Sequence, residues 1–170
     1  MKLSNQGKDL KITDFDEANA LRLAIKLEGD GIKYYSELSK RAKNEAVKKA
    51  FGRFIKEEDK HLQKFSGWLE SRGVEANGGD EEGLFDFIDT GVFGDIWNVE
   101  NALSKIKTDS DALSLAEWAE LNSIKFYRAI LDKTANEPGK NILKDIIKQE
   151  QEHLKAFVKY KDLLDKKKPC

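Results

Sequence analysis

Cysteine is almost absent from this 170-residue chain. The single cysteine is Cys170, the last residue. The chain therefore cannot form an internal disulfide or a metal site built from Cys-x-x-Cys pairs. Proline is equally scarce, with two residues in the whole sequence. Since proline interrupts helices beyond their first turn, its scarcity favours long helices. The two absences exclude a disulfide-stapled domain and favour a mostly helical protein.

Long apolar runs and an excess of one charge are also missing. No segment approaches the ~18 apolar residues that suggest a membrane span. The 30 basic and 31 acidic residues are interspersed, and the one basic run, Lys-Lys-Lys at 166–168, is interpreted as a frayed tail. We therefore expect neither nucleic acid nor a membrane as a partner. The first residues contain no continuous apolar segment, so no signal peptide is expected and the predicted location is cytoplasmic.

Four segments of the chain repeat apolar residues with helical spacing, and each predicts a helix. They cover residues 16–42, 45–71, 110–133 and 137–165. Asp14 or Asp16 is a candidate N-cap of the first helix, and Asn136 of the last. Very short connections follow the first and third helices, which makes two antiparallel hairpins. The predicted fold is all-α, an antiparallel four-helix bundle in a single domain over residues 1–170.

A long crossover over residues 73–109 joins the two hairpins, which span 16–71 and 110–165. It opens with Gly-Val-Glu-Ala-Asn-Gly-Gly-Asp-Glu-Glu-Gly, a polar pattern typical of a flexible loop. The remainder is too apolar for a solvated linker. We predict a short helix there that packs on the bundle through these positions: Ile96, Val99, Leu103 and Ile106.

The two hairpins are copies of one repeat. When residues 20–65 are compared without gaps to residues 112–157, 17 of 46 positions are identical. Chance would give roughly one identity in fifteen at average residue usage. The best-matched stretches include Ile-Lys-Glu-Glu-Asp-Lys-His-Leu-Gln-Lys-Phe and Ile-Lys-Gln-Glu-Gln-Glu-His-Leu-Lys-Ala-Phe. Each hairpin is therefore one unit of a duplicated helix pair.

The repeat aligns six polar residues that all lie within apolar helical stripes. The pairs are Glu28 with Glu120, Glu58 with Glu150, and His61 with His153. Both histidines of the chain thus end a Glu-x-x-His motif, whose two members share one helical face. If the four stripes face one another, four carboxylates and two imidazoles meet in one core.

Charge indicates what such a core requires. Four ionised carboxylates carry −4, and two positive histidines cancel only half of it. Buried like charges otherwise force protonation. Two divalent cations supply +4 and accept oxygen and nitrogen ligands. The pattern therefore predicts a site for two metal ions, in which mixed carboxylate and imidazole ligands suit iron or manganese, and zinc is an alternative.

With these six positions filled, the sequence resembles the ferritin-like di-iron carboxylate proteins. It is most similar to the rubrerythrin diiron domain, over both hairpins. The resemblance implies two bridging carboxylates, two terminal carboxylates and one histidine for each of two iron ions. By this resemblance, Glu58 and Glu150 are the bridging carboxylates, Glu28 and Glu120 are the terminal carboxylates, and His61 and His153 each bind one ion. All six residues would be both metal ligands and catalytic residues. It further implies an oxidoreductase that reduces peroxide or dioxygen.

Two departures from the rubrerythrin pattern bear on that function. Rubrerythrins carry an additional Glu one turn after the ligand of the third helix, where this chain has Ser123. Glu117, one turn before Glu120, is either a substitute ligand or a residue that stays outside the site. Classical rubrerythrins also carry a four-cysteine rubredoxin module. Since this chain has one cysteine, the reducing electrons would come from an external donor such as a rubredoxin-type protein.

Several neighbouring residues allow two interpretations. Tyr35 and Tyr127 lie seven residues after Glu28 and Glu120, so they either hydrogen-bond to a ligand or simply fill the core. Gly31 and Ser123 either leave room beside the metals for dioxygen or peroxide, or allow close packing of the helices.

The same six ligands would also serve two other functions. One is iron handling without turnover, as ferroxidase, store or sensor. The other is a structural bundle whose site takes zinc or stays empty. Trp68, Trp97 and Trp118 are interpreted as core or dimer-interface residues, and together with the crossover they favour a homodimer.

Overall fold

The computed structural model describes residues 2–6, 9–13, 15–74, 104 and 106–166. Two antiparallel strands precede four long helices. They are β1 (Lys2–Gln6), β2 (Asp9–Thr13), α1 (Glu17–Arg41), α2 (Glu45–Glu70), α3 (Asp109–Lys133) and α4 (Glu137–Asp165). The predicted four-helix bundle is confirmed, and the strand pair is an addition that the sequence did not predict. The short helix predicted in the crossover lies outside the described residues.

Local side-chain chemistry sets where the helices begin. Asp16 accepts a hydrogen bond from Asn19 N at 2.8 Å, and Asn136 accepts one from Gly139 N at 2.7 Å. Both predicted N-caps are thereby confirmed. At α3, the Thr108 hydroxyl and the Asp111 carboxylate exchange hydrogen bonds with each other's backbone N–H, which is a capping box.

The ends of the helices show how the two hairpins pack. The Asp109 carboxylate accepts hydrogen bonds from Lys43 N at 2.9 Å and Asn44 N at 2.8 Å, so α3 begins where α1 ends. At the other end of the bundle, Arg72 pairs with Glu17 at 3.0 Å, so α2 ends where α1 begins. The segment between α2 and α3 therefore connects opposite ends of a bundle roughly 40 Å long.

The bundle core consists of two apolar clusters separated along its axis. One cluster lies towards the start of α1 and includes Leu27, Phe65 and Ile124. The other lies towards the end of α1 and includes Leu38, Phe54 and Phe157. The predicted polar residues occupy the layer between them. Because apolar side chains close both sides of this layer, water reaches it poorly.

The outer surface of the bundle carries a few large apolar side chains among many charged ones. Trp118, Leu121, Val158 and Leu163 are exposed. Trp68 is buried, in agreement with the core interpretation, and Trp97 lies outside the described residues. None of the helices described here has a stretch long and apolar enough to cross a membrane.

Gly139 makes room for Trp68, and this contact gives a first prediction. A Cβ at position 139 would overlap the Trp68 ring and lie 2.8 Å from Asn136 Oδ1, the capping oxygen of α4. We expect Gly139→Ala to destabilise the protein by about 1–3 kcal/mol, as overpacked cores do. Gly52→Ala is the matched control, because nothing lies within 4 Å of a Cβ there. Urea unfolding measures both variants, and equal stabilisation by the two substitutions would contradict the prediction.

Candidate metal centre

All four helices contribute to one buried polar cluster. The predicted residues are Glu28 on α1, Glu58 and His61 on α2, Glu120 on α3, and Glu150 and His153 on α4. None of the six is more than 4% exposed. The structure therefore brings together every residue that the repeat pattern singled out, and none of them turns towards solvent.

The cluster divides into two overlapping groups, within each of which one ligand atom per residue lies within 4.8 Å of the others. The first group contains Glu28, Glu58, His61 and Glu150, and the second contains Glu58, Glu120, Glu150 and His153. Glu58 and Glu150 belong to both groups, as expected if they are the predicted bridging carboxylates. Glu28 and Glu120 each belong to one group, which is the position of terminal carboxylates.

The two imidazole rings face the carboxylates through the same nitrogen. His61 Nδ1 lies 3.0 Å from Glu150 Oε1 and 3.2 Å from Glu58 Oε2. His153 Nδ1 lies 3.0 Å from Glu150 Oε2 and 3.3 Å from Glu58 Oε1. Each Nε2 contacts a residue at the edge of the cluster instead. A metal ion in either group would therefore be bound by Nδ1, with the ring proton on Nε2.

Tyr35 and Tyr127 hold Glu120 and Glu28 across the bundle. The Tyr35 hydroxyl on α1 donates to Glu120 Oε1 on α3 at 2.6 Å, and the Tyr127 hydroxyl on α3 donates to Glu28 Oε1 on α1. Burial, followed by the charge of Glu120, raises the pKa of Tyr35, so its hydroxyl stays protonated and able to donate. Of the two interpretations, the hydrogen bond to a predicted ligand is the one that the structure shows.

Electrostatics separates the four carboxylates into two types. Burial, and then the charge of the nearest bridging glutamate, raises the pKa of Glu28 and of Glu120 well above the ordinary value. Burial also opposes ionisation of Glu58 and Glu150, but close contacts with neighbouring groups, the histidines among them, lower both pKa values. The pKa shifts thus favour the protonated form of Glu28 and Glu120 and the ionised form of Glu58 and Glu150.

Both histidines are held in the charged form by these carboxylates. Burial alone would lower their pKa values, but contacts with Glu150, Glu28 and Glu58 raise that of His61, and the corresponding contacts raise that of His153. With protons as its only cations, these directions favour a cluster of two imidazolium ions, two carboxylates and two carboxylic acids. It is then neutral overall, which explains how it is accommodated between two apolar clusters.

The donor atoms present fit a metal ion. Glu150 Oε2 and His153 Nδ1 are buried and have no hydrogen-bond partner among the described residues, although they lie 3.0 Å apart. Unpaired buried polar atoms are costly and call for an explanation. A cation between them would supply the missing partner. Carboxylate and imidazole ligands without thiolate suit iron, manganese or zinc.

A small cavity lies beside the carboxylates, between α1 and α3. Its walls include Gly31, Ser123, Ala119 and Tyr34, together with the glutamates of the cluster. About 10 Å³ is free for the centre of a water-sized molecule. Gly31 and Ser123 therefore lie at open space beside the cluster, which supports the first of the two interpretations, room beside the predicted ligands. Only a ligand of very few atoms fits this volume.

Glu117 lies outside the cluster among the residues that the structure describes. Its carboxylate pairs with Lys161 on α4 at 3.4 Å, and its side chain is 28% exposed. It belongs to neither potential metal group. Of the two interpretations for Glu117, the structure supports the residue that stays outside the site.

Two residues at the edge of the cluster were missed by the sequence interpretation. Glu57 contacts Nε2 of His153, and Gln149 contacts Nε2 of His61. They occupy the same repeat position, directly before the bridging glutamates. The equivalence of the two positions was visible in the sequence. A polar residue on a surface helix is common, however, so the sequence alone did not identify either residue as a histidine partner.

The four-helix bundle and its buried carboxylate–histidine cluster define a ferritin-like protein with a potential metal site. The family model of the rubrerythrins matches residues 19–161, and the chain belongs to the rubrerythrin family. The family predicted from the six polar residues is thereby confirmed. Their individual roles as ligands stay a prediction.

Among solved structures, the chain is similar to a conserved hypothetical protein, rv2844, from Mycobacterium tuberculosis. The TM-score is 0.65 at 15% sequence identity, and the match covers 86% of this chain and 99% of the other. At that identity the likeness shows a shared fold and nothing about activity. No curated protein matches the sequence.

Proposed function

We propose that this protein is a non-haem dinuclear iron oxidoreductase that reduces peroxide or dioxygen with electrons from an external donor. The observation that carries the proposal is the pair of overlapping ligand groups, which share Glu58 and Glu150 and open onto a cavity for a very small ligand. Membership of the rubrerythrin family supports the same conclusion.

The six cluster residues would hold the two ions. A bound pair of ferrous ions would supply two electrons and Lewis acidity for cleavage of an O–O bond. The chain's own residues position this chemistry. Each tyrosine hydroxyl fixes one oxygen of a terminal glutamate, so Glu28 and Glu120 keep their orientation while charge at the site changes.

The surroundings of the cluster restrict what can react there. The apolar clusters on both sides keep bulk water away, and the cavity beside Gly31 and Ser123 admits only small molecules. That volume is about that of one water molecule, so hydrogen peroxide and dioxygen, with two heavy atoms each, are the oxidants nearest to it in size, whereas organic substrates of more than a few atoms are far too large. We therefore assign the small oxidant, and not an organic molecule, to this cavity.

Reducing electrons would come from another protein. With one cysteine, the chain has no four-cysteine iron site of its own. A rubredoxin-type protein is the proposed donor, because it transfers one electron at a time to a partner's buried centre.

Stopped-flow mixing tests the proposal. Apoprotein is loaded anaerobically with two equivalents of Fe(II) and mixed with hydrogen peroxide, and the ferric absorption is followed. We expect oxidation much faster than that of free Fe(II) in the same buffer. An oxidation rate no higher than that of free Fe(II) would contradict the proposal. Repeated turnover with a reduced rubredoxin separates an enzyme from a protein that oxidises and stores iron once.

A further inference from the structure

The two histidines of the cluster have different partners at their outward-facing nitrogen. His153 Nε2 lies 2.8 Å from Glu57 Oε2, whereas His61 Nε2 lies 3.4 Å from Gln149 Oε1. Glu57 on α2 reaches the histidine of α4, and Gln149 on α4 reaches the histidine of α2. The two contacts are thus related by the repeat, but one partner is a carboxylate and the other is an amide.

The orientation of the Gln149 amide is set by a second contact. Its Nε2 donates to the backbone oxygen of Asp145 at 3.3 Å, so its Oε1 is the atom that faces His61. Nε2 of each histidine therefore faces an oxygen, to which an Nε2–H group donates when Nδ1 binds a metal ion. The difference between the two sides lies in the charge and the distance of that oxygen.

That difference alters the two rings as metal ligands. A carboxylate that accepts the outer N–H of an imidazole draws the proton towards itself and increases the basicity of the inner nitrogen. Charge-assisted hydrogen bonds are also roughly twice as strong as neutral ones. Nδ1 of His153 is consequently a stronger donor than Nδ1 of His61, although both rings face the same pair of bridging glutamates.

Glu57 also differs from the cluster in its exposure. Its side chain is 30% exposed and lines a surface groove with Arg53, whose Nε lies 3.7 Å from the other carboxylate oxygen. A substitution of Glu57 by Gln therefore changes the charge next to His153 without disturbing the buried core. This makes the contact suitable for a direct test.

We propose that Glu57 and Gln149 are positioning residues that make the two metal positions inequivalent, so that the position at His153 binds its ion first and more tightly. The inference rests on the dinuclear site and does not depend on the oxidant. Outer partners of metal-binding histidines typically change affinity by about 10–100-fold. A difference of that size between the two binding steps is therefore expected.

Cobalt(II) binding to apoprotein tests the proposal, with calorimetry as the first readout. We expect two steps in the unaltered protein. Glu57→Gln should weaken the tighter step by about 10–100-fold, which brings the two steps together. Gln149→Glu should instead strengthen the weaker step. The double variant Glu57→Gln/Gln149→Glu exchanges the partners and should separate the steps again.

Paramagnetic NMR identifies which ion binds first. The described helices contain the chain's two histidines, so one equivalent of cobalt should shift one imidazole N–H resonance before the other. That resonance should belong to His153 in the unaltered protein and to His61 in the double variant. A purely structural role of Glu57 would change stability but not the order of binding.

Three results would overturn the inference: two identical steps in the unaltered protein, binding of fewer than two ions, or an order of loading that the double variant leaves unchanged. Stepwise cobalt binding without any reaction of the ferrous protein with peroxide would instead refute the proposed function and leave this inference intact.

Discussion

The Glu150→Ala variant is expected to bind neither metal ion, whereas Glu117→Ala should retain both. Glu150 contributes a ligand atom to each of the two groups, and its two oxygens lie 3.0 Å from His61 Nδ1 and from His153 Nδ1. Removal of the Glu150 carboxylate deprives both predicted metal positions of a negative charge and a ligand atom at once. Loss of a terminal glutamate would affect one position only.

Glu117 supplies the matched control because the chemical change is the same. Its carboxylate lies one helical turn from Glu120 but pairs with Lys161 and belongs to neither ligand group. Elemental analysis of each reconstituted and dialysed variant gives the number of ions per chain. Equal metal contents in the two variants would contradict the assignment of Glu150. Glu58→Ala should behave as Glu150→Ala does, since the repeat makes the two residues equivalent.

Loss of fold has to be separated from loss of ligand in this experiment. Removing one member of a buried charged network typically costs about 3–5 kcal/mol. Glu150→Gln preserves the volume of the side chain and is therefore the second variant. Its helical content, followed by circular dichroism, shows whether the bundle persists. A folded Glu150→Gln protein that still binds two ions as tightly as the unaltered protein would also contradict the bridging role.

The bundle and the cluster could be predicted from the sequence because both depend on short-range spacing. Apolar residues at helical intervals mark the four helices, and a glutamate such as Glu28 within an apolar stripe is conspicuous. The internal repeat then relates each glutamate to a second one without any structure. Tyr35 and Tyr127 were placed on the correct face for the same reason.

The features that could not be predicted depend on contacts between distant segments. Glu117 pairs with Lys161, which lies on another helix 44 residues later, and not with the cluster. β1 and β2 pair through backbone hydrogen bonds, and the polar segment Lys2–Gln6 has no alternation of apolar residues that would predict a strand. The contacts that His61 and His153 make through Nε2 join a residue of one hairpin to a residue of the other. No local pattern reports such a contact.

Metal binding should release several protons, up to four for each pair of ions, which makes the affinity strongly dependent on pH. The raised pKa values of Glu28 and Glu120 favour their protonated forms, and the raised pKa values of His61 and His153 favour charged rings, so up to four protons are available for release. All four must leave before the six side chains can bind metal. The sign follows directly: protons compete with the ions, so affinity falls as pH falls. For each proton displaced per ion, the binding constant changes by about tenfold per pH unit.

Calorimetric titration in two buffers of different ionisation enthalpy gives the number of protons released. Glu28→Gln is the matched variant, because it removes one proton-holding carboxylic acid and should lower the count by one. Release of less than one proton per ion at pH 7 would show that the cluster is already ionised, against the pKa directions given above. Charge neutrality connects this result to the fold. Four protons or two divalent cations balance the same four carboxylates, so the layer between the apolar clusters carries no net charge in either case, and loading does not require a buried charge to be created.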